Sequence, residues 1–195
     1  MNSHLLCRVI AIMLAASLLG ACVPMRFPVF DVSGEGQKQA GYCIAGIKNV
    51  LLAEAPHGVH INWWAENRGP EGSLWLRIYL EIPEGVSVRF ESERLQLESP
   101  GWTEPKGLSI KAITAPGPLQ FAADALLVGP VDPARQRHLL WFLPDSRGNA
   151  YRTDIPFVSE FSVRLPPMSI NGEPWQAGPV SFTAARRWGM YTCIQ

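Results

Sequence analysis

The chain has 195 residues, with 17 Lys and Arg against 17 Asp and Glu and a formal net charge of zero. Neither sign of charge collects into a run, so the sequence carries no basic stripe for nucleic acid and no polybasic stretch for a membrane surface. The length suffices for one domain with a sizeable core.

The N-terminus carries the clearest pattern. A single cation, Arg8, precedes the apolar stretch from Val9 to Gly20, about 12 residues, and no acidic residue occurs before Asp31. A short cationic region followed by an apolar run of that length is a secretory signal. A membrane-spanning helix needs roughly 20 apolar residues, and Pro24, Arg26 and Pro28 interrupt the run before that. The segment that follows the run, Leu19-Gly20-Ala21-Cys22, resembles the lipobox of bacterial lipoproteins. The resemblance covers about the first tenth of the chain. It implies that residues 1–21 are a signal peptide, that the Cys22 thiol takes a diacylglycerol before cleavage, and that further acylation (palmitate or a similar chain) follows. One acyl chain holds a protein only reversibly, and several give a stable anchor. In the same family, valine after the lipidated cysteine, here Val23, favours the outer membrane. The expected location is therefore its periplasmic face, with the membrane as first partner.

Cleavage before Cys22 leaves 174 of the 195 residues. Of the four cysteines, Cys7 departs with the signal and Cys22 is acylated, leaving Cys43 and Cys193. An even pair in an oxidising compartment is expected to form a disulfide, with two separate buried thiols as the alternative. Closing so long a loop is worth roughly 5 kcal/mol in the chain-entropy picture.

Residues 22–41 read as a flexible tether, because Pro24, Pro28, Gly34, Gly36 and Gly41 punctuate them. A single β-rich domain then occupies residues 42–195. Between Tyr42 and Ala55 helical spacing competes with strand, and Pro56-His57-Gly58 is placed to turn a long hairpin into Val59–Trp64. Leu74, Leu76, Ile78 and Leu80 alternate with Trp75, Arg77, Tyr79 and Glu81, the period of a half-buried strand. Alternation continues through Val86–Phe90, Leu95–Leu97 and Leu108–Ala112, with turns at Pro83-Glu84-Gly85, Ser99-Pro100-Gly101 and Pro116-Gly117-Pro118. Gln120–Val128 is compatible with a short helix. His138–Leu143, apolar on both faces, fits a central strand, and Pro144–Asn149 is a turn cluster. Phe161, Val163 and Leu165 alternate again, and Asn171-Gly172 is a hairpin signal. Val180 and Phe182 begin the last strand region, which closes at Tyr191–Ile194. Eight to ten short strands punctuated by 17 Pro and 17 Gly point to an all-β fold. An antiparallel sandwich, immunoglobulin-like in the first instance, is expected, with a small barrel as the alternative.

Catalytic signatures are missing. No HExxH, P-loop, dinucleotide fingerprint or Gly-x-Ser-x-Gly elbow occurs, and no cofactor is implied. His57 and His60 with Glu54 supply too few ligands for zinc by themselves and read as a solvated turn. No catalytic residue and no metal ligand is assigned. The enrichment that stands out is tryptophan, seven in all. Trp63 and Trp64 are adjacent, so a strand must point them to opposite faces. Trp75 and Tyr79 lie on the polar side of their strand. Exposed aromatics on a rigid sheet stack on sugars or anchor protein partners, so Trp63, Trp64, Trp75 and Tyr79 are the candidate ligand-binding residues. The expected function is a non-catalytic binding or scaffolding module held in the envelope, with envelope proteins or glycan, peptidoglycan included, as partners. An envelope hydrolase is the remaining alternative.

Overall fold

The computed structural model describes residues 24–43, 46–66, 72–115, 120–142 and 152–190. The expectations for the signal peptide, for Cys22, for the Pro116 and Pro144 turn clusters and for the last residues fall outside these. So does the Cys43–Cys193 bridge, since neither thiol is among the described side chains.

Strands dominate. In chain order they are β1 (Pro24–Ser33), β2 (Gln37–Cys43), β3 (Gly46–Glu54), β4 (His60–Glu66), β5 (Ser73–Glu81), β6 (Ser87–Phe90), β7 (Arg94–Glu98), β8 (Lys106–Ser109) and β9 (Ala112–Thr114). After them come β10 (Gln120–Phe121), β11 (Leu127–Val128), β12 (Arg137–Trp141), β13 (Arg152–Pro156), β14 (Glu160–Arg164), β15 (Met168–Ile170), β16 (Glu173–Trp175) and β17 (Val180–Met190). The helical content of the described residues is two single 3-10 turns, Pro56–Gly58 and Pro133–Arg135.

The described strands form three antiparallel sheets. The first runs β1-β17-β14-β7-β8; the second runs β10-β9-β12-β5-β4-β3-β2, with β13 also on β5; the third, smaller, runs β11-β6-β15-β16. Apolar residues of all three join in one core, from Phe30 and Val32 through Trp63, Leu76 and Ile78 to Met168 and Phe182. The fold is thus the antiparallel sandwich expected, with more and shorter strands than the sequence count. Its described strands form three sheets rather than the two of an immunoglobulin-like domain.

Several elements follow directly from local chemistry. In β5 the side chains alternate strictly, with Leu74, Leu76, Ile78 and Leu80 fully buried and the intervening residues half-buried. Asn171 (φ 52°) and Gly172 (φ 83°) make the tight turn of the β15–β16 hairpin. Both residues take the positive φ that a two-residue hairpin loop demands. The Asn171 side-chain oxygen accepts from the Ser87 backbone N–H at 2.9 Å, tying that turn to β6. His57 (φ 58°) turns β3 into β4, so the long hairpin forms. His138 lies inside the core beside Phe121, with ring centroids 6.0 Å apart. Its Nδ1 sits 3.0 Å from the Gln136 carbonyl, and burial pushes its pKa down.

Two expectations are corrected. Gln120–Val128 forms the short strands β10 and β11 rather than a helix. More consequentially, most of residues 22–41 are not a tether. β1 pairs with β17 over ten residues, from Pro24 opposite Met190 to Ser33 opposite Ser181. Val29, Phe30 and Val32 are buried. Pro28 is accommodated because β1 is the edge of its sheet. The glycines serve a turn: Gly36 has φ 132°, and a Cβ there would lie 2.3 Å from the Leu52 carbonyl oxygen.

Phe30 meets the Phe161 ring edge-on at 5.3 Å, and Phe161 stacks on Phe182 at 4.9 Å. Truncating a buried phenylalanine costs about 3–5 kcal/mol. Phe30→Ala should therefore lower the unfolding free energy of the domain, read from urea titration, by that much, whereas a residue in a tether would leave urea unfolding unchanged.

Candidate functional site

The solvent face of the second sheet is built by strand pairing. Because β4 and β5 run antiparallel, their outward side chains line up in rows, with Trp64 opposite Arg77, Asn62 opposite Tyr79 and His60 opposite Glu81. β12 and β9 extend them. Tyr79 faces Leu139, which faces Thr114 on its other side, and Glu81 faces Arg137. Opposed side chains on one sheet face stand within contact distance. The result is a continuous strip of alternating aromatic and cationic groups.

Distances bear this out. The Arg77 guanidinium lies 5.7 Å from the Trp64 ring centroid and 5.8 Å from that of Tyr79. Arg137 approaches Tyr79 from the other side at 5.5 Å. Its Nε donates to Glu81 Oε1 at 2.9 Å, and the same carboxylate has His60 Nδ1 at 4.0 Å. Contacts of this kind are attractive cation–π interactions. The strip borders a groove of about 470 Å³, lined by Trp64, Arg77, Tyr79, Thr114, Arg137 and Leu139 among others. Trp141 braces its rim, donating from Nε1 to Thr114 Oγ1 at 2.7 Å.

Of the four candidate aromatics, Trp64 and Tyr79 come together in this groove. Trp75 shares their face, opposite Glu66 and Arg152, but does not line it. Trp63 does not belong to the site. It is fully buried on the inner face of β4, in the core. Adjacent residues of a strand point opposite ways, and the larger apolar demand lies inward. Asn62, beside Tyr79 in its row, is 5% exposed, and its Nδ2 finds no hydrogen-bond partner among the described residues.

Arg137 and Thr114 were not singled out from sequence. Arg137 is 58 residues from Tyr79 along the chain; only the β12–β5 pairing brings them together. His57 is exposed at its turn. Among the described residues no three His, Cys, Asp or Glu side chains converge as a metal site. The groove lining offers guanidinium donors, ring faces and hydroxyls. Such a set has the chemistry to stack on planar or apolar faces and to donate hydrogen bonds to anions.

The chain matches no known protein family, no curated protein and no solved structure.

Burial raises the Tyr79 phenol above its ordinary value of 10.0; Arg137 and Arg77 pull it down, and Glu81 pushes it up. Removing the strongest of the opposing cations should let it rise further. In Arg137→Gln the phenolate absorbance assigned to Tyr79, by difference from Tyr79→Phe, should appear at higher pH than in the wild type. A lower midpoint would show that Arg137 is not held against the ring.

Proposed function

We propose that this protein is a lipid-anchored envelope module that binds rather than catalyses, and that it takes a carboxylate-bearing glycan, such as peptidoglycan, in the groove of its second sheet. The observation that carries the reading is the Trp64–Arg77–Tyr79–Arg137 strip around a groove of about 470 Å³. Half-buried rings on a rigid sheet give flat surfaces for sugar faces at little entropic cost. Guanidinium groups held against those rings present donors to carboxylates in a fixed orientation. The lipobox-like Leu19-Gly20-Ala21-Cys22 supports acylation of Cys22, and Val23 supports the outer membrane, where peptidoglycan lies within reach.

The experiment is co-sedimentation of the purified protein with isolated peptidoglycan sacculi, followed by titration with soluble glycan fragments. The wild type should sediment with sacculi. Trp64→Ala and Arg77→Gln should each weaken binding by roughly 10- to 100-fold, the loss expected for a stacking contact or a charge-assisted hydrogen bond. Trp75→Ala, outside the groove, should bind as the wild type does. Unchanged binding by Trp64→Ala and Arg77→Gln, or no sedimentation of the wild type, would overturn the glycan reading. For the anchor, Cys22→Ser should abolish acyl labelling and membrane fractionation. A variant still in the membrane fraction would contradict lipidation at Cys22.

A further inference from the structure

We propose that the paired ends of β1 and β17 form a membrane-docking surface that takes anionic phospholipid headgroups, with Trp188 seated in the interface and Arg26 and Arg186 on the phosphates. The proposal rests on the acylation of Cys22 proposed above. Its structural ground is the missing tether. Cys22 precedes the first residue of β1 by two positions, and two residues of chain span at most about 7 Å. An acylated Cys22 therefore brings Pro24, and Met190 opposite it, to the bilayer surface.

The residues that arrive there have the chemistry of an interface. In the register of the ribbon, Arg26 faces Trp188 and Pro28 faces Arg186. These pairs are two positions apart, so all four side chains stand on one face. The Arg26 guanidinium lies 4.9 Å from the Trp188 ring centroid. Trp188 is 63% exposed, the one aromatic among the exposed large apolar side chains of the described residues, and Arg186 is exposed beside it. Tryptophan concentrates at headgroup depth, where its ring is shielded and its N–H stays wet. Anionic lipids attract nearby arginines. The acid of the ribbon, Asp31, is an odd number of positions from Arg26 and so stands on the opposite face of β1, where it accepts from Asn49 Nδ2 at 2.8 Å and from Arg187 Nε at 3.2 Å. The face that carries Trp188 therefore keeps a positive balance. The sequence shows no basic run because the cations come from opposite ends of the chain and meet only through pairing.

The full-length lipoprotein, purified and reconstituted into vesicles, tests this. Vesicles of phosphatidylethanolamine with phosphatidylglycerol are compared with vesicles of phosphatidylcholine, each with and without brominated acyl chains. Tryptophan fluorescence should be quenched by bromolipid in the anionic vesicles and much less in the neutral ones. Trp188→Phe should remove most of the quenching. Arg26→Gln with Arg186→Gln should weaken it, by about fivefold in the docking equilibrium constant for each arginine, and added salt should weaken it too. Quenching equal in both vesicle types would overturn headgroup recognition. Quenching unchanged in Trp188→Phe would overturn the assigned surface, and no quenching of an acylated protein would overturn docking. Intact mass of the same preparation separates the two readings. An unacylated chain contradicts the anchor itself, whereas an acylated chain with Trp188 in water contradicts the docking alone.

Discussion

The structure depends on one long-range pairing, the ten-residue antiparallel ladder between β1 and β17. It closes the chain on itself, joining the first described strand to the last, and it sets the edge of the first sheet. Each ladder hydrogen bond is worth about 0.5–1.5 kcal/mol net, so the ribbon is stable only because its inner face is also buried. Phe30 and Val32 enter the core from β1 and Phe182 from β17. Asp31 fixes the ribbon laterally. Arg187 reaches it from β17 and Asn49 from β3, and the Asn49 amide also donates to the Phe30 carbonyl at 3.2 Å. One carboxylate thereby links a strand of the first sheet to a strand of the second. Without β1, Phe161 and Phe182 would lose their edge-on partner, and β3 would lose most of its contact with the first sheet.

The same principle of pairing makes the groove. None of its groups is unusual alone; the arrangement is. β5 sends an aliphatic face inward and Trp75, Arg77, Tyr79 and Glu81 outward, and β4 and β12 supply Trp64, His60 and Arg137 in register with them. The inward face holds the strands in place through Leu76, Ile78 and Leu80, all fully buried. The outward face can then keep two guanidinium groups against rings without the chain bending to meet them. Preorganisation of this kind lowers the entropic cost of binding. Glu81 accepts from Arg137, and both Arg77 and Arg137 lie against the Tyr79 ring.

Strand period was legible from the residues, and so were the sandwich, the turn at Pro56-His57-Gly58 and the hairpin at Asn171-Gly172, because each rests on local chemistry. β5 declares itself by strict alternation. Tyr79 was legible as an outward-facing aromatic for the same reason. The failures share a cause. Pro24, Pro28, Gly34 and Gly36 have the composition of a linker, yet on an edge strand proline costs no ladder bond, and Gly36 is required by a positive φ against Leu52. The alternation of Val29, Phe30 and Val32 with Asp31 was too short to outweigh them. Trp63 could not be told from Trp64 until the inner face of β4 was known. Arg137 near Tyr79, and Arg26 near Trp188, depend on pairings across 58 and 162 residues, which no local pattern records.

The central claim is that β1 is a structural strand and not a spacer. Native-state amide exchange of residues 29–33 measures it most directly, because a hydrogen-bonded edge strand locked into the core opens only with substantial unfolding of the domain. The β17-bonded amides of this segment should exchange at rates approaching those of β5. Exchange at the rate of an unstructured chain would contradict it.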